Sequence, residues 1–202
     1  MAGRVNSGMV AVAALEPDAA LMLRVKEGDA TSFALLLERH RAPVVHFLYR
    51  MVQNQAVAEE LAQEVFFRVY RARAGYEPTA RFTTWLFRIA THLALNYLRD
   101  GRDERGQESL DEPAAAPARQ IADRRPSIEQ DLLEQVKLEE IRAAIRALPA
   151  KQRAAVLMHK YQEMEYSQIA RVLNCSESAV KSLLFRAYEK LRVRLAHLAA
   201  TG

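Results

Sequence analysis

The sequence predicts an all-α fold: two small helical domains joined by a flexible linker, the second containing a helix-turn-helix. Three observations carry this. Only 7 glycines and 7 prolines occur in 202 residues, while Ala, Leu, Glu and Arg dominate, a mixture that favours helix over sheet. Apolar residues recur at three-and-four spacing in two blocks, 18–100 and 127–197, the period of helices with one buried stripe. Between them, 101–126 is charged, rich in Pro and Ala and without apolar period, as a linker is. Residues 1–17 precede the first block and are expected to be disordered.

The elements follow in order. Asp18 is placed to cap a short helix through Leu21, Leu23 and Val25, which Gly28 ends. Asp29 or Thr31 opens a longer helix with Phe33, Leu36, Leu37, Val44, Phe47, Leu48 and Met51 on one stripe; Pro43 within it predicts a kink or a split. A third helix begins near Val57 and carries Leu61, Val65, Phe66, Val69 and Tyr70, until Gly75 and Pro78 interrupt it. The fourth covers about 83–99, with Phe82, Trp85, Leu86, Ile89, Ala90, Leu93 and Tyr97 on its apolar side. After the linker, a helix over 127–148 turns Ile128, Leu132, Leu133, Val136, Leu138, Ile141 and Ile145 inward. Leu148-Pro149 closes it, and 151–161 forms the next helix.

From Tyr166 the chain reads YSQIARVLNCSESAVKSLLFRAYEKLRVRL. Ser167 can cap a two-turn helix with Ile169, Ala170 and Leu173 inward, and Asn174 suits the left-handed turn that ends it. Ser176 then caps a second helix packed through Ala179, Val180, Leu183, Leu184 and Ala187. Small Ala170 lets the two helices cross closely. This is the layout of a helix-turn-helix, whose second helix docks in the major groove. Ser178, Lys181, Ser182, Phe185 and Arg186 lie on the face away from the core, and Arg171 on the first helix is placed for a phosphate. The bland alternative is a solvated basic face on an ordinary helical hairpin.

Charge supports the nucleic-acid reading. Whole-chain balance is mild, 29 Lys+Arg against 25 Asp+Glu, but 151–194 holds nine basic residues against Glu163, Glu165, Glu177 and Glu189. Such local excess suits a polyanionic partner. Cys175 is the only cysteine, so an intramolecular disulfide and a multi-cysteine zinc site are excluded. It is expected to be a small buried residue of the turn. No apolar run approaches the ~20 residues of a membrane span, and a cytoplasmic location without membrane insertion is expected. His40, His46, His92, His159 and His197 are scattered, and neither a Gly-rich phosphate loop nor a metal-ligand spacing occurs. We therefore expect no enzyme, metal or cofactor.

Two polar patches mark the first block. Glu60, Gln63 and Glu64 stand at i, i+3 and i+4 of the third helix and form one face for a basic partner. A purely structural reading stands beside it, since acidic residues also favour a helix N-terminus. In the fourth helix Arg88, His92, Asn96 and Arg99 form a stripe opposite the apolar side. The loop before it, GYEPTARF, combines Tyr76 and Phe82 with Arg81, as sites for single-stranded nucleic acid do. Alternatively the two rings seat the loop on the core.

Four stretches, SFALLLERHRAPVVHFLYRMV, AEELAQEVFFRVYRA, FTTWLFRIATHLALNYLRD and LPAKQRAAVLMHKYQEMEYSQIARVLNCSESAVKSLLFRAYEKLR, occur in that order with the linker after the third. Together they resemble the sigma-70 family, specifically its extracytoplasmic function (ECF) group, over nearly the whole chain. The resemblance implies that 18–100 is a region 2 domain and 127–197 a region 4 domain. Glu60, Gln63 and Glu64 would dock on the beta-prime clamp helices of core RNA polymerase, whose beta flap is a further contact. Tyr76, Arg81, Phe82, Arg88, His92 and Asn96 would read and open the −10 promoter element, with a base flipped into a loop pocket. Arg171, Ser178, Lys181, Ser182, Phe185 and Arg186 would bind the −35 element. An anti-sigma factor and a stress or envelope-response regulon are implied in the same way. Glu60 stands where the family commonly has Asp, His92 where Asn is frequent and Leu183 where Arg often occurs, so promoter preference is where departures are expected. A stand-alone helix-turn-helix regulator is the competing reading, and it predicts a dimer on palindromic sites.

Overall fold

The computed structural model describes residues 16–105 and 128–199, and every regular element among them is helical. Helix α1 (Pro17–Lys26) starts with Pro at its first position, where the missing N–H costs nothing. Asp18 is therefore not the cap. It lies inside the first turn, 7% exposed, and its carboxylate takes an ion pair from Arg39 and a 2.8 Å hydrogen bond from His40 Nε2. Gly28, at φ +100°, ends the helix as expected. Glu16 and Pro17 are ordered rather than part of a disordered tail; 1–15 lie outside the described residues.

Helix α2 (Ala30–Val52) is capped by Asp29, whose side chain accepts from the Thr31 and Ser32 amides. The Ser32 hydroxyl at 2.7 Å, with those amides, holds the Asp29 carboxyl below its ordinary range. Pro43 does not split this helix: all 23 residues are helical, at the cost of the one bond its nitrogen lacks. Gln53, left-handed at φ 59°, closes it. Helix α3 (Gln55–Arg71) starts two residues earlier than expected because Asn54, not a residue nearer Val57, caps it. A short 3₁₀ turn (Ala72–Gly75) leads to the loop 76–81 and then to α4 (Phe82–Arg105). Helix α4 continues through Gly101, so the linker begins later than 101, and 106–127 lie outside the described residues.

The second block holds α5 (Ile128–Arg146), α6 (Ala150–Tyr161), α7 (Tyr166–Leu173), α8 (Glu177–Arg194) and the short α9 (Ala196–Ala199). Helix α6 is its centre, with every residue of 152–158 buried. Helix α5 departs from expectation: Val136 and Leu138 are 49% and 43% exposed, and among its described side chains Ala144 alone is buried, with Leu148 buried just past its end. For Ile128, Leu132 and Leu133 the side chains are not described. Helices α7 and α8 complete the helix-turn-helix on α6.

The two blocks pack on one another. One continuous apolar core joins Phe47, Met51, Phe87 and Ala94 of the first to Leu157, Met158 and Ile169 of the second. Helix α7 lies on α4, and α6 lies on α2 and α4. At the centre of this contact Arg153 of α6 donates to the carbonyl of Met51 at the end of α2, and to those of Arg146 at 2.5 Å and Leu148 at 3.2 Å. Arg50 lies over the Tyr161 ring, 4.1 Å from its centroid, a geometry that attracts a cation.

Candidate nucleic-acid interface

The helix-turn-helix is built as its sequence dictates, save at the first cap. Helix α7 starts after Glu165 rather than Ser167, and Gln168 Oε1 accepts from the Glu165 amide at 2.8 Å. Asn174 adopts the left-handed conformation (φ 50°) that turns the chain. Ser176 Oγ accepts from the Ala179 amide at 3.2 Å and so begins α8. Ile169, Val172, Val180, Leu184 and Ala187 are buried at the crossing. Cys175 is half-buried, not fully buried as expected.

Burial on one face of α8 leaves the other in solvent. Ser178, Lys181, Ser182, Phe185 and Arg186 are all exposed, Phe185 at 67%. An aromatic ring that open to water, between cations, is the uncommon feature of this helix. Two hydrogen bonds along the helix pre-set the stripe: Ser182 Oγ donates to the Ser178 carbonyl at 3.0 Å, and Arg186 Nε to the Ser182 carbonyl at 3.2 Å. Arg171, expected on a phosphate, is turned instead toward the Thr79 carbonyl of the first block at 3.4 Å.

The α4 stripe is also intact: Arg88, His92, Asn96 and Arg99 are exposed, while Leu86, Phe87, Ala90, Leu93 and Ala94 are buried. Arg81 of the loop is exposed beside them. Tyr76 and Phe82 require a correction. They are 4% and 0% exposed and pack with Trp85 at ring-centroid distances of 5.0 and 5.9 Å. Rings committed to the core offer no face to a base, so the pair seats the loop and the exposed span 77–81 faces outward.

Burial has a chemical consequence at Tyr76. Its hydroxyl meets no hydrogen-bond partner among the described residues, and desolvation, then the carboxylates of Glu16 and Asp18, push its pKa up from 10.0 to about 12. A folded-state value above the unfolded one stabilises the fold below pH 10, and that contribution is lost as pH rises from 10 to about 12. Tyr76→Phe is expected to flatten this alkaline loss and to raise stability at pH 8 by about 1 kcal/mol, since it removes an unpaired buried polar group. Urea unfolding at pH 8 and pH 11 measures both; a variant weaker at pH 8 would mean the hydroxyl is paired in solution.

On α3 the acidic patch is exposed at Glu60 and Gln63 and half-buried at Glu64, which pairs with Arg68 at 2.6 Å. Because α3 begins at Gln55, its first turn holds no acidic residue, and the helix-dipole explanation loses force. Sequence reasoning missed that the same stripe continues through Phe67 and Tyr70, 53% and 41% exposed. The signal was position: Phe67 stands at i+7 from Glu60 and i+3 from Glu64, on the face of the polar patch.

Comparison with known proteins agrees with this arrangement. The family description "Sigma-70 region 2" matches residues 36–104, and "Sigma-70, region 4" matches 138–191. The chain is 34% identical to RNA polymerase sigma factor CarQ of Myxococcus xanthus, over 88% of this chain and 97% of that one. It is 28% identical to ECF RNA polymerase sigma factor SigW of Bacillus subtilis, over 87% and 95% of the two chains. Among solved structures, CnrH bound to the cytosolic domain of CnrY superposes at a TM-score of 0.67 with 19% identity, covering 90% of this chain and 99% of that one. The sigma factor RpoE of Bartonella quintana, bound to the anti-sigma factor NepR, gives 0.66 with 20% identity, covering 83% and 98%. The chain thus belongs to the sigma-70 family as an ECF sigma factor, a subunit that binds core RNA polymerase and promoter DNA and directs transcription initiation.

Proposed function

We propose that three exposed faces divide this work. Glu60, Gln63 and Glu64, continued by Phe67 and Tyr70, dock on the beta-prime clamp helices, and the second block meets the beta flap. Arg81, Arg88, His92 and Asn96 engage the −10 element, while Lys181, Ser182, Phe185 and Arg186, with Ser178 and Arg171, engage the −35 duplex. In this division 18–100 acts as the region 2 unit and 127–197 as the region 4 unit. The carrying observation is the pair of polar stripes on α4 and α8, each standing on the solvent side of a helix whose other side is core. Catalysis belongs to polymerase, and we infer a cytoplasmic place beside it; no described helix is long and apolar enough to cross a membrane. An anti-sigma protein holding this chain is inferred from RpoE, which was solved in complex with the anti-sigma factor NepR. A stress or envelope-response regulon belongs to the same reading.

Run-off transcription with purified core polymerase on fragmented genomic DNA tests it. Discrete transcripts that require this chain support the reading, and their start sites reveal both promoter elements. No transcripts, with tight binding of the chain alone to a palindromic duplex, would replace it with the stand-alone regulator. On a promoter so found, Lys181→Ala with Arg186→Ala is expected to weaken −35 binding about 10- to 100-fold. The log–log salt slope should become shallower by about 1 for each phosphate that the variant no longer neutralises. Unchanged affinity and slope would move the −35 interface off α8.

A further inference from the structure

The loop 76–81 and the start of α4 are tied down by side chains from a distant stretch of chain. The first amide of α4, that of Phe82, donates to Glu16 Oε2 at 2.8 Å. The residue in the N-cap position is Arg81, whose guanidinium has no acceptor, so a local side-chain cap is impossible there. A carboxylate 66 residues away does that job. At the other end of the loop, Lys26 Nζ donates to the Tyr76 carbonyl at 3.1 Å. A third tie comes from α2, where His40, held by Asp18, sets its ring 5.3 Å from that of Phe82. Glu77, Pro78, Thr79 and Arg81, between these anchors, remain exposed.

We propose that Glu16 and Lys26 are positioning residues for −10 recognition. They touch no DNA. They fix both ends of the loop, so its exposed span and the first turn of the α4 stripe meet the opened strand already in shape. An unanchored loop would have to be ordered on binding, and that ordering subtracts from affinity. Fixed ends also set where Arg81 stands relative to Arg88, seven residues on and on the same face about two turns away, and hence which bases both can reach. This inference rests on the proposed role of α4 at the −10 element.

The test uses holoenzyme assembled from core polymerase and the full chain, with a labelled single-stranded −10 oligonucleotide taken from a promoter mapped by run-off transcription. Glu16→Ala and Lys26→Ala are each expected to weaken binding roughly 5- to 10-fold, the range of one missing helix cap. They should also narrow discrimination against a −10 strand with one base changed. Glu16→Gln, which keeps an oxygen acceptor, should restore both to within about twofold. Affinity for a −35 duplex should stay at the wild-type value, which a general loss of fold would not allow. Arg88→Ala with Asn96→Ala runs alongside. If that pair weakens strand binding and the anchor variants do not, the positioning role is overturned alone. If the pair has no effect, the −10 role of α4 falls and the positioning role with it. Equal loss at −10 and −35 would reduce Glu16 and Lys26 to stabilisers of the fold.

Discussion

Glu60→Lys combined with Glu64→Lys is expected to weaken binding to core RNA polymerase by two orders of magnitude or more, while the folded chain stays folded. Magnitudes separate the two effects. Inside the chain, Glu64 pairs with Arg68 across one helical turn, both half-exposed, an ion pair worth about 0.3–0.5 kcal/mol. Reversal replaces it by a like-charge pair of similar size and opposite sign, so stability falls by about 1 kcal/mol at most. Across an interface, setting a positive charge against a basic partner costs several kcal/mol, because like charges are then desolvated together. Phe67, on the same stripe and 53% exposed, supplies the apolar centre around which such charges become dry. Surface plasmon resonance against immobilised core polymerase, with thermal melting of each variant, reads both quantities. A variant that melts normally and binds normally would return the patch to a purely structural role.

What the sequence made legible was what repeats at short range. Helix period, the Asp29 and Ser176 caps, the Gly28 stop and the left-handed Asn174 are decided within a turn or two, and the structure bears them out. The exposed stripes on α4 and α8 followed from the same period. Failures came where distant residues decide. Asp18 looks like a helix cap locally but serves as the buried partner of His40 and Arg39, 22 and 21 residues on. Tyr76 and Phe82 have the composition of a base-stacking loop, and only their packing with Trp85 reveals them as core. Glu16, Lys26 and Arg153 act through backbone groups 66, 50 and 102 residues away. A backbone donor or acceptor leaves no mark on the sequence of its own residue, so such interactions have no pattern to find.

Arg153 governs the second large expected effect, opening of the two blocks. With α7 lying on both α4 and α8 and Arg171 reaching Thr79, a single intervening helix, about 10–12 Å across, separates α4 from α8. Elements at −10 and −35 lie about 25 base pairs apart, roughly 85 Å along duplex DNA. On the proposed assignment of α4 to −10 and α8 to −35, the packed form is too short to hold both, and the blocks would separate when the promoter is bound. Residues 106–127 number 22 and reach about 75 Å at full extension, enough when the size of the blocks is added. The Arg153–Met51 hydrogen bond opposes this separation, since a bond from a charged donor contributes about 1.5–3 kcal/mol, or about 10- to 150-fold in the ratio of packed to separated forms. Arg153→Met is expected to shift the free chain toward the separated form, with a larger radius of gyration by small-angle scattering. Because Arg153 also holds the Arg146 and Leu148 carbonyls of its own block, that variant should melt lower as well. Arg50→Ala removes a cation–ring pairing that lies only between the blocks, and a smaller expansion with unchanged melting of either block is expected from it. Faster association with a promoter duplex that carries both elements at their natural spacing should accompany both expansions. If neither variant expands and both bind the duplex at the wild-type rate, the packed form is no barrier, and Arg153 serves the stability of α6 alone.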